Sequence, residues 1–182
     1  MRFDAPPGMV LCGEARFRLD ANAGDSSPIS SVSTALRELL ERRLGERPRR
    51  LGAFAQLALA GALECRERLR SLGIDIPART AMLLTSEYAV WTELAARLSA
   101  FHDQGQAPTP YEFLAVQGNS ACIAVAQRLE IAGETVLLSC DDASLTIAAA
   151  ALARDAPALF LARVEIGERE WISEWNFFSR KP

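Results

Sequence analysis

Glu134-Thr135-Val136-Leu137-Leu138-Ser139-Cys140-Asp141-Asp142-Ala143-Ser144-Leu145 is the stretch that decides how this chain folds. Its apolar, partly β-branched start, Thr135 to Ser139, predicts a short buried strand. Residues 143–153 carry no charged side chain and are almost wholly apolar, which predicts a helix buried beside the sheet. A strand that hands over directly to a helix leaves Cys140 at the turn. Unpaired backbone N–H groups and the macrodipole at a helix start favour a thiolate or a developing oxyanion there. Cys140 is therefore the candidate nucleophile.

The segments on either side supply the surroundings. Residues 9–19 alternate apolar and polar after Pro6-Pro7-Gly8 and predict a first strand, followed by a polar loop over 21–28. Val32, Leu36, Leu39, Leu40 and Leu44 recur at helical spacing, and Gly45 stops that helix. A second helix spans 51–72 and ends at Gly73. Its first half is apolar on all sides and should be central, whereas Arg66, Glu67, Arg68 and Arg70 should bring its second half to solvent. Residues 81–85 predict a buried strand, 90–101 an amphipathic helix, 104–110 a flexible loop and 118–129 another helix. Beyond the Cys140 helix, a strand over 158–166 and an alternating run over 171–178 flank the turn Gly167-Glu168 as a hairpin. Trp171, Ser173, Trp175 and Phe177 share one side of that last strand, and this aromatic face either completes the core or covers a partner. The order β-α-α-β-α-α-β-α-β-β describes one layered α/β domain with helices on both sheet faces.

The bulk numbers exclude several classes. A length of 182 residues, 49% hydrophobic and 24% charged, is ordinary for one globular domain. The net charge of −3 gives no broad attraction to nucleic acid or an anionic membrane. Uncharged runs fall short of the roughly 20 residues a membrane span needs. Asp4, Pro6 and Pro7 stand where a signal peptide needs an apolar stretch. Cys12, Cys65, Cys122 and Cys140 are widely spaced and accompany a single histidine, His102. That pattern suits reduced thiols in the cytoplasm better than a disulfide framework or a metal site, and no cofactor is implied.

In order and spacing, these segments resemble the N-terminal half of a β-ketoacyl synthase, a member of the thiolase superfamily. The central helix over 54–72 is followed by Ile74-Asp75-Ile76-Pro77, similar to the family's L-D-I-P-like link, and then by a strand. Pro110-Tyr111-Glu112-Phe113 and Gln117-Gly118-Asn119-Ser120-Ala121 resemble its proline-aromatic loop and asparagine-containing helix start. Arg128-Leu129-Glu130-Ile131-Ala132-Gly133 resembles R-L-G-L-x-G. Thr135-Val136 with Cys140 resembles T-V-S-T-A-C, and residues 156–165 resemble the strand that follows. The resemblance covers residues 9–165 and implies half of a thiolase-like fold, a five-stranded mixed sheet with helices on both faces.

What the resemblance implies about function is more divided. Cys140 falls on the family's acyl-accepting cysteine. Condensation also needs two histidines, or a histidine and an asparagine, that the family places in its C-terminal half. His102 lies far from those positions and is expected at the surface. The family follows its cysteine with small residues, whereas Asp141 and Asp142 stand here. Carboxylates suit a helix start but disfavour a neighbouring thiolate. The family pairs subunits through the strand before the cysteine, which marks Thr135, Val136, Leu137 and Leu138 as interface residues. The leading expectation is a truncated, non-catalytic subunit in the manner of a chain-length factor. It would partner a full-length ketosynthase, or a second copy of itself, in fatty-acid-like or polyketide-like synthesis such as that of aryl polyene pigments. Alternatives are a Cys140-dependent acyltransferase and a module that binds acyl groups or acyl carrier protein. Arg42, Arg43, Arg47, Arg49 and Arg50 could dock such an acidic carrier or simply end a solvated helix. Gly118-Asn119-Ser120 is a weak candidate phosphate loop.

Overall fold

The structure is a computed structural model that describes residues 3–20, 28–46, 48, 51–87, 91–105, 107, 109–110, 117–140, 142–167 and 170–180. The strands are β1 (Met9–Asp20), β2 (Ala81–Thr85), β3 (Thr135–Leu138), β4 (Ala158–Ile166) and β5 (Glu170–Arg180). The helices are α1 (Pro28–Leu44), α2 (Ala53–Ser71), α3 (Trp91–Gln104), α4 (Gly118–Leu129) and α5 (Asp142–Asp155). Most of the polar loop over 21–28, the Tyr111 to Phe113 segment, Asp141 and Glu168 lie outside the described residues.

The strands form one mixed sheet in the order β1-β5-β4-β2-β3. Helical crossovers make β4, β2 and β3 parallel, while the hairpin return makes β5 antiparallel to β4. β1 then pairs antiparallel with β5 from Met9↔Arg180 to Asp20↔Glu170, with one irregularity between Leu11 and Gly13. The expected α/β class and five-stranded mixed sheet are both present.

α2 is the hub of the larger core. Every residue from Ala53 to Leu63 is buried, between the sheet on one side and α1 and α4 on the others. Gly61 is required where this helix crosses β5: an added Cβ would strike Ser173 Oγ and come within 2.6 Å of Trp175 Nε1. The aromatic face of β5 is consumed here. Trp171, Trp175 and Phe177 are at most 1% exposed. Phe160 packs edge-on to Trp175 at 5.8 Å between ring centres, and the Trp175 indole N–H donates to Ser173 Oγ at 2.8 Å. Those rings complete the core and do not face a partner.

The opposite sheet face carries the smaller core. Leu145, Ala149 and Ala153 of α5 cover Ala81, Leu83, Leu159, Leu161 and Phe178. The expectation that α5 is buried as a whole needs correction, because Ile147 is 72% exposed and Ala151 is also exposed. A helix laid on a single sheet buries only the stripe at i, i+4 and i+8. Nothing among the described residues forms a second layer above it.

Candidate functional site

The three parallel strands β2, β3 and β4 end together, and ligand sites of open α/β sheets lie at such carboxyl ends. Cys140 follows β3 by two residues, just before α5, and its half-buried side chain packs against the smaller core. The predicted strand-thiol-helix unit is present in that form.

A polar clamp ties the strand ends together. Ser86 N–H donates to the Leu138 carbonyl at 3.2 Å, continuing the β2–β3 ladder past its end. Ser139 Oγ donates to the Glu87 carbonyl at 2.9 Å. The Glu165 carboxylate accepts from Ser86 Oγ at 3.1 Å and from Glu87 N–H at 2.7 Å, and pairs with Arg163 Nε at 3.3 Å. Ser86, Glu87 and Glu165 were not singled out from the sequence. A charged residue near the end of the apolar β4 strand was the available signal. A cleft of about 300 Å³ opens beside this clamp, lined by Glu87, Arg163, Glu165, Arg16 and Glu174 among others. Its charges run in a cross-strand row, Arg16 on Glu174 at 2.8 Å with Arg163 in register beyond, so this part of the sheet face is built for water.

β3 itself is an edge strand. The Glu134 and Leu138 carbonyls accept from Met82 and Ser86 of the β2 side. By the two-residue alternation of a strand, the N–H and C=O groups of Thr135 and Leu137 point to the open edge. The side chains are half-buried: Val136 and Leu138 pack on the smaller core and Leu137 on the larger. An added Cβ at Gly118 would strike Leu137 Cδ2, so the glycine that opens α4 serves close approach to β3.

No family model and no curated protein matches the sequence. Solved structures do. A ketosynthase in complex with its chain length factor from Xenorhabdus doucetiae superposes with a TM-score of 0.64 at 11% identity, over 96% of this chain and 79% of that one. A type II polyketide synthase acyl-carrier protein in complex with its ketosynthase gives 0.64 at 12% identity, over 95% and 62%. The ishigamide ketosynthase/chain length factor gives 0.55 at 12% identity, over 87% and 47%. The fold is that of ketosynthases and chain length factors. This chain spans less than two thirds of the matched chain in the second and third of these structures.

Within this ketosynthase fold, the other residues singled out from the sequence are dispersed. His102 sits in the last turn of α3 with its side chain 89% exposed, 3.2 Å from Asp103. Arg43 is paired with Glu64 at 2.7 Å and Arg42 is exposed, while Arg47, Arg49 and Arg50 lie outside the described residues. Cys12 is half-buried on β1, its thiol donating to the Val10 carbonyl at 3.4 Å. No cluster of three or more metal-ligating side chains occurs among the described residues. None of the described helices is long and apolar enough to cross a membrane.

Two buried thiols give a pH prediction. Burial, then the neighbouring Glu64 charge, pushes Cys65 up to about 12, and burial pushes Cys122 up to about 11, from 9.0. A raised thiol pKa stabilises the fold fully below pH 9, where both states are protonated. Above pH 9 the unfolded chain ionises first, so stability should fall by about 1.4 kcal/mol per thiol per pH unit. The Cys122 contribution should level off near pH 11 and that of Cys65 near pH 12. Urea midpoints at pH 8 and pH 10.5 check this, with a smaller drop expected for Cys122→Ala than for wild type. Equal drops would refute it.

Proposed function

We propose that this chain is a ketosynthase-like subunit without condensing activity of its own, a cytoplasmic protein in polyketide-type or fatty-acid-type synthesis. It works, on this reading, by pairing through the β3 edge with a full-length ketosynthase, in the manner of a chain length factor. Acyl carrier protein reaches it through that assembly.

The observation that supports this best is the contrast between the two sheet edges. β1 carries Glu14, Arg16, Arg18 and Asp20 and an irregular register, which are devices that keep an edge from pairing. β3 is Thr-Val-Leu-Leu, with no charge and with the backbone groups of Thr135 and Leu137 directed outward. An edge left open in that way is suited to addition of another strand. The single histidine of the sequence is exposed on α3, where condensation calls for two histidines or a histidine and an asparagine at the thiol.

Leu137→Lys would disturb the contact with α4 as well as the edge, so Thr135→Pro is the cleaner break. Proline is tolerated where an edge N–H faces outward, yet it removes that donor and blocks the approach of a partner strand. Tagged wild type co-expressed with a full-length ketosynthase from the same genome should yield a stoichiometric complex, and Thr135→Pro should lose it while keeping its far-ultraviolet circular dichroism. Failure of every such ketosynthase to bind, or a complex indifferent to Thr135→Pro, would overturn the pairing.

A further inference from the structure

The two faces of the sheet hold their helices on different terms. On one face, every residue of α2 from Ala53 to Leu63 is buried. On the other, α5 rests on fully buried Leu145, Ala149 and Ala153, with Ala148 and Leu152 half covered. Most of these side chains are single methyl groups, so the contact removes little apolar surface from water. Ile147 and Ala151 on the outer side stay exposed. Few buried apolar contacts mark a segment that opens at a lower free energy than the domain as a whole.

The far end of α5 is gripped by a side chain from another element. Arg180, the last residue of β5, donates from Nη2 to the Ala153 carbonyl at 3.0 Å and to the Arg154 carbonyl. Its Nε donates to the Ala156 carbonyl at 3.2 Å, and its main-chain N–H to the Pro157 carbonyl at 3.2 Å. The last four carbonyls of a helix have no partner inside it, and a cation there also meets the negative end of the helix dipole. The rigid fork of a guanidinium lets one side chain serve several carbonyls together. β5 lies between β1 and β4, so the grip is anchored in an interior strand. Cys140 stands just before the other end of α5, and its half-buried side chain packs against the same small core that the helix covers.

We infer that α5 is a flap with Arg180 as its clasp, and that lifting the flap gives a bulky electrophile access to the Cys140 thiol. Thiol exposure and helix opening are then one equilibrium, set by a residue on a different strand. The inference is independent of pairing at the β3 edge, because Arg180 and α5 lie on other elements.

Hydrogen exchange read by mass spectrometry, with N-ethylmaleimide labelling followed at each cysteine, tests this on the full chain. The proteins are wild type, Arg180→Gln and Arg180→Lys. Arg180 is exposed, and either variant keeps the main-chain pairing with Met9, so both should fold. In wild type, α5 amides should exchange well ahead of α2 amides after correction for intrinsic rates. In Arg180→Gln, α5 exchange should quicken on the order of tenfold, the scale of one net hydrogen bond to a charged group, and Cys140 labelling should quicken with it. Arg180→Lys should recover only part of the protection, since an ammonium keeps the charge without the fork. Equal protection of α5 and α2 in wild type overturns the flap. Unchanged α5 exchange in Arg180→Gln, or full recovery in Arg180→Lys, overturns the clasp. Faster α5 exchange with Cys140 labelling unchanged overturns the control of the thiol.

Discussion

Trp175→Ala should remove about 3–5 kcal/mol of folding stability, a large part of the roughly 5–15 kcal/mol a domain possesses. Trp175 is fully buried where α2 crosses β5, beneath Gly61 and edge-on to Phe160. Truncation there loses the transfer free energy of the indole and leaves a cavity, since neither a helix packed by glycine nor a strand held on both sides can close in. It also takes the indole donor from Ser173 Oγ, itself fully buried. For a chain of this size the melting temperature should fall on the order of 10 °C. Trp91→Ala is the matched control: the same residue type, 62% exposed, should cost within about 0.5 kcal/mol in the isolated chain. Calorimetry of the two variants decides the matter, and equal shifts would contradict this account of the core.

The large elements were legible because their patterns have one reading. Residues 158–166 were expected as a strand and form β4 residue for residue, since apolar residues run to a turn without helical spacing. The alternation of Trp171, Ser173, Trp175 and Phe177 likewise fixed which side of β5 meets α2. What failed was sidedness where the pattern is silent. Residues 143–153 have no charge to mark a wet face, so the sequence could not show that Leu145 and Ala149 are covered while Ile147 is open. That depends on how many layers lie above the sheet. α3 shows the converse problem. Its apolar stripe reads as core-facing by period alone, yet Trp91, Leu98 and Phe101 stay exposed. Periodicity identifies an apolar face and does not say what covers it.

The site divides in the same way. The place of Cys140 at a strand-to-helix turn was legible because a strand, a thiol and a helix are contiguous in sequence. The clamp at the strand ends was not, because Glu87 and Glu165 lie 78 positions apart and meet only when β2 and β4 become neighbours. His102 was expected at the surface, and it is exposed in the last turn of α3.

Decarboxylation provides the sharpest test of a subunit that does not condense. A ketosynthase needs a positioned base or acid, worth roughly 10²–10⁴-fold, and donors aimed at the developing oxyanion, worth about 10²–10³-fold more. Here Ser139, beside Cys140 in sequence, donates to the Glu87 carbonyl, the Glu165 carboxylate is held by Ser86 Oγ and the Glu87 N–H, and the one histidine of the sequence is at the surface. The measurement is release of labelled carbon dioxide from malonyl carrier protein by the purified chain alone, wild type against Cys140→Ala. The expected result is release no faster than the protein-free blank in both. Release well above the blank in wild type, abolished in Cys140→Ala, would contradict the account and make the chain a cysteine-dependent enzyme.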